Sequence, residues 1–189
     1  MEKELKERIL EATIVVFNKK GIKFTMDDIA SELKVSKKTI YKVIDDKEAL
    51  FLDMVDFIFG KIKVSENEVI DRPGLSTLDK IKAILAVLPD GYRELDFRQL
   101  VGVMQKYPQI YAEVQRRLET GWEMTIALIE QGKEEGVIRK DIPTRIIKHM
   151  YEASLEHFLT STALEETGMS YAEGLETVVD VLLNGIQTK

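Results

Sequence analysis

The run Phe24–Phe51, FTMDDIASELKVSKKTIYKVIDDKEALF, decides the fold. Thr25 stands where a helix N-cap is wanted, with Asp28 three residues on as its capping-box partner. Ile29, Ala30 and Leu33 then share the face that must be buried, and Ala30 is small enough to let a second helix cross closely. The pattern stops near Lys34. Ser36 caps another short helix, expected to run to about Ile44, in which Val35 and Ile40 supply the apolar contacts. Its exposed positions are Lys37, Lys38, Thr39 and Lys42. Asp45 or Asp46 caps a longer helix with Leu50, Met54, Phe57 and Ile58 on its apolar side. Two short helices on a tight turn, the second capped and basic, form the outline of a helix-turn-helix. A helix N-terminus aimed at a nucleic-acid backbone adds N–H donors and a favourable dipole for phosphate.

That basic segment sits in an acidic chain of 189 residues with formal net charge -6. Residues 1–63 hold 13 Lys and Arg against 12 Asp and Glu, while the remainder holds 14 against 21. The asymmetry predicts two halves with different partners. With no cysteine, a disulfide framework and a thiolate metal site are excluded. No apolar run is long enough for a membrane span, and the N-terminus MEKELKERIL lacks a signal-peptide core. A cytoplasmic protein with no membrane contact is expected.

Outward from the opening run, nearly everything reads as helix. Leu5, Ile9, Ala12, Val16 and Phe17 recur at helical spacing over 2–20, closed by Lys19, Lys20 and Gly21. Between Lys63 and Ser76 the composition turns polar, with a break at Arg72-Pro73-Gly74. Further helices are predicted at about 76–88, 93–106, 108–135, 143–163 and 170–187, with Gly121 and Gly132 favouring a bend in the third of these. The fold class is all-α, with about nine helices: an N-terminal three-helix helix-turn-helix domain, then a larger helical domain.

The same 28 residues resemble the DNA-binding signature of the tetracycline-repressor (TetR) family of bacterial transcription regulators. Thr25, Ile29-Ala30, Val35-Ser36, Thr39-Ile40-Tyr41 and Lys47-Glu48-Ala49-Leu50 occur in the family's order and spacing. A weaker second match is the segment Glu135–Asp141, EGVIRKD, similar to the turn after the long helix in many members. The resemblance implies a DNA-binding domain over 1–46 and an effector-binding and dimerisation domain over 47–189. It implies that Tyr41, Lys47 and Thr25 hold phosphate, and that Ser36, Lys37, Lys38, Thr39 and Lys42 lie on the DNA-facing helix, the last four reading bases. A lysine can donate to guanine O6 and N7. Three positions depart from the family pattern. Lys34 stands where glycine is common, Lys38 where glycine or proline is common, and Val43-Ile44 where an aromatic or histidine precedes phenylalanine.

The resemblance also implies that the last two helices of the larger domain pair with their symmetry mates. Their rows are Ile146, Met150, Leu155 and Leu159 with Leu175, Val178, Val179 and Leu182. A homodimer suits a two-fold related DNA site. Met104, Tyr107, Tyr111, Trp122, Met124 and Phe158 are candidate lining residues for a small-molecule effector, although methionines and aromatics at helical spacing also serve as plain core. His149 and His157 lie eight apart and would need an acid such as Glu156 to complete a metal site, so no metal is expected.

The sequence reading is therefore a homodimeric DNA-binding regulator, a repressor relieved by a small-molecule effector that shifts the spacing of its two heads. The alternative is a family-like dimeric protein–protein interaction module with lost or altered DNA binding. No Ser/His/Asp set, P-loop or glycine fingerprint is present, so neither an enzyme nor a cofactor is expected.

Overall fold

The computed structural model describes residues 2–188 apart from positions 90, 94, 96 and 98. Eleven α-helices follow one another among these residues. They are α1 (Glu2–Lys20), α2 (Met26–Leu33), α3 (Lys37–Ile40), α4 (Lys47–Asp71), α5 (Thr77–Leu85) and α6 (Gln99–Lys106). After them come α7 (Pro108–Glu119), α8 (Glu123–Glu134), α9 (Thr144–Thr160), α10 (Ala163–Thr167) and α11 (Tyr171–Ile186). The described residues contain no strand, only an isolated antiparallel bridge between Ile138 and Gln187.

Two compact units emerge, one of Met1–Gly60 with Asp96–Val114 and one of Lys61–Leu95 with Gln115–Lys189. In the first, α1 packs along α2, and a 3-10 turn at Gly21–Lys23 links them. Glu2 and Glu4 in the first turn of α1 and Lys19 and Lys20 in its last complement the helix dipole. The core is an edge-to-face cluster of Phe17, Phe24 and Phe51, whose centroids lie 5.6–6.3 Å apart. Tyr107 adds a tilted contact on Phe51 at 5.8 Å. Ile29, Ile40, Ile44 and Leu50 are almost fully buried in this unit.

In the second unit α5 lies against α8 and α11, and α9 against α8, α10 and α11. Gly132 permits the close approach of α8, since a Cβ there would meet Ile138 Cγ1 at 2.8 Å. The EGVIRKD segment ties down the end of α11. Arg139 N donates to Ile186 O at 2.7 Å, and Thr188 N donates to Val137 O at 3.0 Å.

Several boundaries differ from expectation for local reasons. The helix expected to run to Ile44 ends at Ile40 and passes into a turn at 41–43, in which Val43 N donates to Ile40 O. Helix α4 continues through the polar stretch to Asp71, with Lys63 and Glu66 paired across one of its turns at 2.6 Å. The pattern over 108–135 divides at Gly121, whose φ of 77° no helix accommodates. The expected helix over 143–163 stops at Thr160 and is followed by the short α10, capped by Gly168. The start of the expected 93–106 helix falls partly on positions 94, 96 and 98, outside the described residues; its described part begins at Gln99. The apolar rows of α9 and α11 also sort differently. Leu155, Leu159, Leu175, Val179 and Leu182 are internal core, whereas Ile146, Met150 and Val181 face outward.

Candidate nucleic-acid interface

The turn between α2 and α3 is built from backbone outward. Lys34 is left-handed, at φ 56° and ψ 43°, the one non-glycine with positive φ among the described residues. Its N–H donates to Ser31 O at 3.3 Å, and that of Val35 donates to Ala30 O at 3.0 Å. Together these bonds form a Schellman ending for α2. A β-carbon in this conformation costs about 1–2 kcal/mol. Ser36 then caps α3, its Oγ accepting from Thr39 N at 3.2 Å and lying 2.9 Å from Thr39 Oγ1.

Thr25 and Asp28 form the reciprocal capping box at the start of α2. The Asp28 carboxylate also accepts from Lys20 Nζ at 2.7 Å. The Lys20 hydrogen bond, with those from Thr25, holds the Asp28 carboxyl down at about 2. Thr25 is exposed beside this network, with its hydroxyl proton given to Asp28.

Around α3 most of the sequence-predicted residues are open to solvent. Ser36, Lys37, Lys38 and Lys42 are exposed, Thr39 is half-buried, and Tyr41 is 47% exposed directly after the helix. Lys38 and Lys42 enter no ion pair among the described residues. Lys37 differs: its Nζ lies 2.9 Å from Asp27 Oδ2 on α2. That hydrogen bond raises its pKa. No local sequence signal foretells this pair, because its members lie ten residues apart on different helices.

Lys47 turns inward. Its Nζ donates to Ile22 O at 2.7 Å and to Phe24 O, and sits 4.0 Å above the Phe24 ring. Burial, reinforced by Lys106, lowers its pKa. One of its three protons remains for a further acceptor. Asp46, not Asp45, caps α4 by accepting from Ala49 N at 2.8 Å.

The six candidate effector residues are divided between the two units. Met104, Tyr107 and Tyr111 belong to the first unit, and Trp122, Met124 and Phe158 to the second. Trp122 donates to Leu118 O at 2.6 Å and meets Tyr151 edge-on at 5.7 Å. Phe158 packs edge-on against Tyr171. A cleft of about 350 Å³ in the second unit is lined instead by Gln115, Leu118, Glu119, His149, Glu152, Ala153 and Glu156. Its acids are partly satisfied from within. Glu152 meets Lys148 at 2.6 Å and His149 at 3.0 Å, and Glu156 accepts from Gln115 at 2.9 Å. Only His149 and Glu156 had a sequence signal, as metal candidates, and no three His, Asp or Glu side chains gather around a metal position among the described residues.

A capped, basic reading helix set on an aromatic core by a Schellman turn defines a helix-turn-helix DNA-binding transcriptional regulator. Residues 9–54 match the model of the bacterial regulatory proteins known as the tetR family. An uncharacterized HTH-type transcriptional regulator of Bacillus subtilis (strain 168), YvaF, is 29% identical over 95% of this chain and 94% of its own length. The fold is shared with a TetR transcription regulator from Haloarcula marismortui, at TM-score 0.74 and 18% identity over 98% of this chain and 100% of that one. It is also shared with the regulator FadR of Bacillus subtilis, solved in complex with stearoyl-CoA, at TM-score 0.62 and 16% identity over 95% and 98%.

Proposed function

We propose that the protein is a homodimeric repressor of the cytoplasm whose DNA binding is relieved by a small-molecule effector. It acts by binding and not by catalysis. The observation that carries this reading is the exposed surface of α3, where Lys37 and Lys38 in the helix and Tyr41 and Lys42 directly after it are open to solvent. In this reading residues 1–46 engage an operator and residues 47–189 take the effector and form the dimer. Lys38 and Lys42 reach bases or adjacent phosphates, with Lys37 and Thr39 beside them. Tyr41, Thr25 and the third proton of Lys47 hold the backbone.

Dimerisation through α9 and α11 is supported by outward-facing Ile146, Met150 and Val181, which are 50%, 55% and 67% exposed. Apolar side chains at these helical positions suit a self-complementary interface. A bound acyl-CoA in one protein of the same fold supports a small-molecule ligand in the second unit, without specifying which. Ligand that favours one spacing of the two heads removes the match to successive major grooves, roughly 34 Å apart.

In vitro transcription from the region upstream of its own coding sequence tests the sign of regulation. Added protein is expected to lower transcript yield, and increased yield contradicts repression. Sedimentation of Met150→Glu is expected to give monomer, and an unchanged dimer contradicts the interface.

A further inference from the structure

Asp27 lies in the first turn of α2, and its carboxylate reaches across to the first residue of the reading helix, Lys37, at 2.9 Å. Both side chains are solvated, Asp27 at 70% exposure and Lys37 at 45%, so the pair contributes little to stability. Its placement is nevertheless unusual. Lys37 occupies the N-terminal turn of α3, where the helix dipole disfavours a cation and an acid partner offsets that. The neighbouring cations Lys38 and Lys42 have no such partner among the described residues. An acid here also puts negative charge on the surface that the functional reading turns toward phosphate.

We propose that Asp27 is a specificity-determining residue of the DNA-reading head, acting as a positioning residue for Lys37. The proposal rests on the reading that α3 faces DNA. A lysine on phosphate adds affinity that is indifferent to sequence. With Asp27 at its side, Lys37 meets a phosphate only against like-charge repulsion between that phosphate and the carboxylate. A neutral acceptor such as guanine O6 or N7 raises no such repulsion, and two Lys37 protons remain to donate to it. Asp27 thus lowers the contribution of Lys37 to wrong sites more than to the right one, which is how specificity arises as a difference of affinities.

The test uses two duplexes: one enriched from a randomised pool by the wild-type protein, and one of equal length with its base order shuffled. Asp27→Asn is expected to tighten binding to the shuffled duplex by roughly three- to tenfold and to steepen its salt dependence by about one unit per head. Binding to the enriched duplex should change less, so the ratio of affinities falls. Asp45→Asn removes another exposed acid near the same helix and should alter both duplexes alike. In a Lys37→Met background, Asp27→Asn should leave the ratio unchanged. Equal tightening on both duplexes, the same loss of ratio from Asp45→Asn, or an effect that survives without Lys37 would overturn the proposal. A pool that yields no enriched sequence contradicts DNA reading itself, and this proposal with it.

Discussion

The head and the second unit use the same residue types in opposite ways. In the head, apolar groups turn inward to the Phe17, Phe24 and Phe51 cluster, and most of the lysines near α3 stay exposed. In the second unit three half-buried lysines are tied into contacts with their neighbours. Lys63 pairs with the buried Glu66, Lys148 pairs with Glu152, and Lys133 donates to Thr144, while apolar Ile146, Met150 and Val181 are left outside. Unpaired charge on a small stable support suits a polyanion, and unpaired apolar surface suits a second protein surface. Lys47 crosses this division: it is a lysine of the head used as an internal tie.

The largest effect that sharpens the contrast is on the head's core. Phe51→Ala should cost about 3–5 kcal/mol in denaturant unfolding. Met150→Ala, from an outward position, should change the stability of the isolated protomer by no more than ~0.5 kcal/mol. Next comes Lys47→Met, which leaves the Ile22 and Phe24 carbonyls without their donor. It should cost about 1–3 kcal/mol. Replacing Lys38 and Lys42 together by Ala should keep stability within ~0.5 kcal/mol yet weaken DNA binding. If Lys47→Met proves as neutral as the Lys38 and Lys42 replacements, the distinction between tie and reader fails.

Smaller still, Lys34→Gly should stabilise the head by about 1 kcal/mol by relieving the left-handed backbone. The last effect is one of pH. Asp28 titrates at about 2 in the fold against an ordinary 3.8, so its contribution is complete above 3.8 and disappears as pH falls through 2. Asp28→Asn should therefore flatten the loss of stability between pH 4 and 2, and an unchanged acid limb would contradict the Lys20 and Thr25 contacts as its cause.

Legibility followed the range of the interactions. The caps at Thr25 and Ser36 were readable because both partners lie within three residues. The strain at Lys34 was readable because it belongs to the same local turn. The pairing of Lys37 with Asp27 and the inward turn of Lys47 were not, since each depends on where a distant segment is brought by the fold. The continuation of α4 to Asp71 was hidden by polarity: residues such as Glu66 and Lys63 look like loop until their pairing is seen. In the second unit the sequence supplied aromatic and methionine positions but not which helix face they occupy. Trp122 and Phe158 are therefore found in ring contacts, while the cleft is lined by glutamates and a histidine.

The central claim is that the lysines around α3 meet DNA phosphates in a dimer, and a salt titration of wild-type binding to an enriched duplex tests it most directly. With Lys38, Lys42 and Lys47 of each of two heads contacting the backbone, log K should fall against log salt with a slope of roughly −5. A slope near zero would contradict the account.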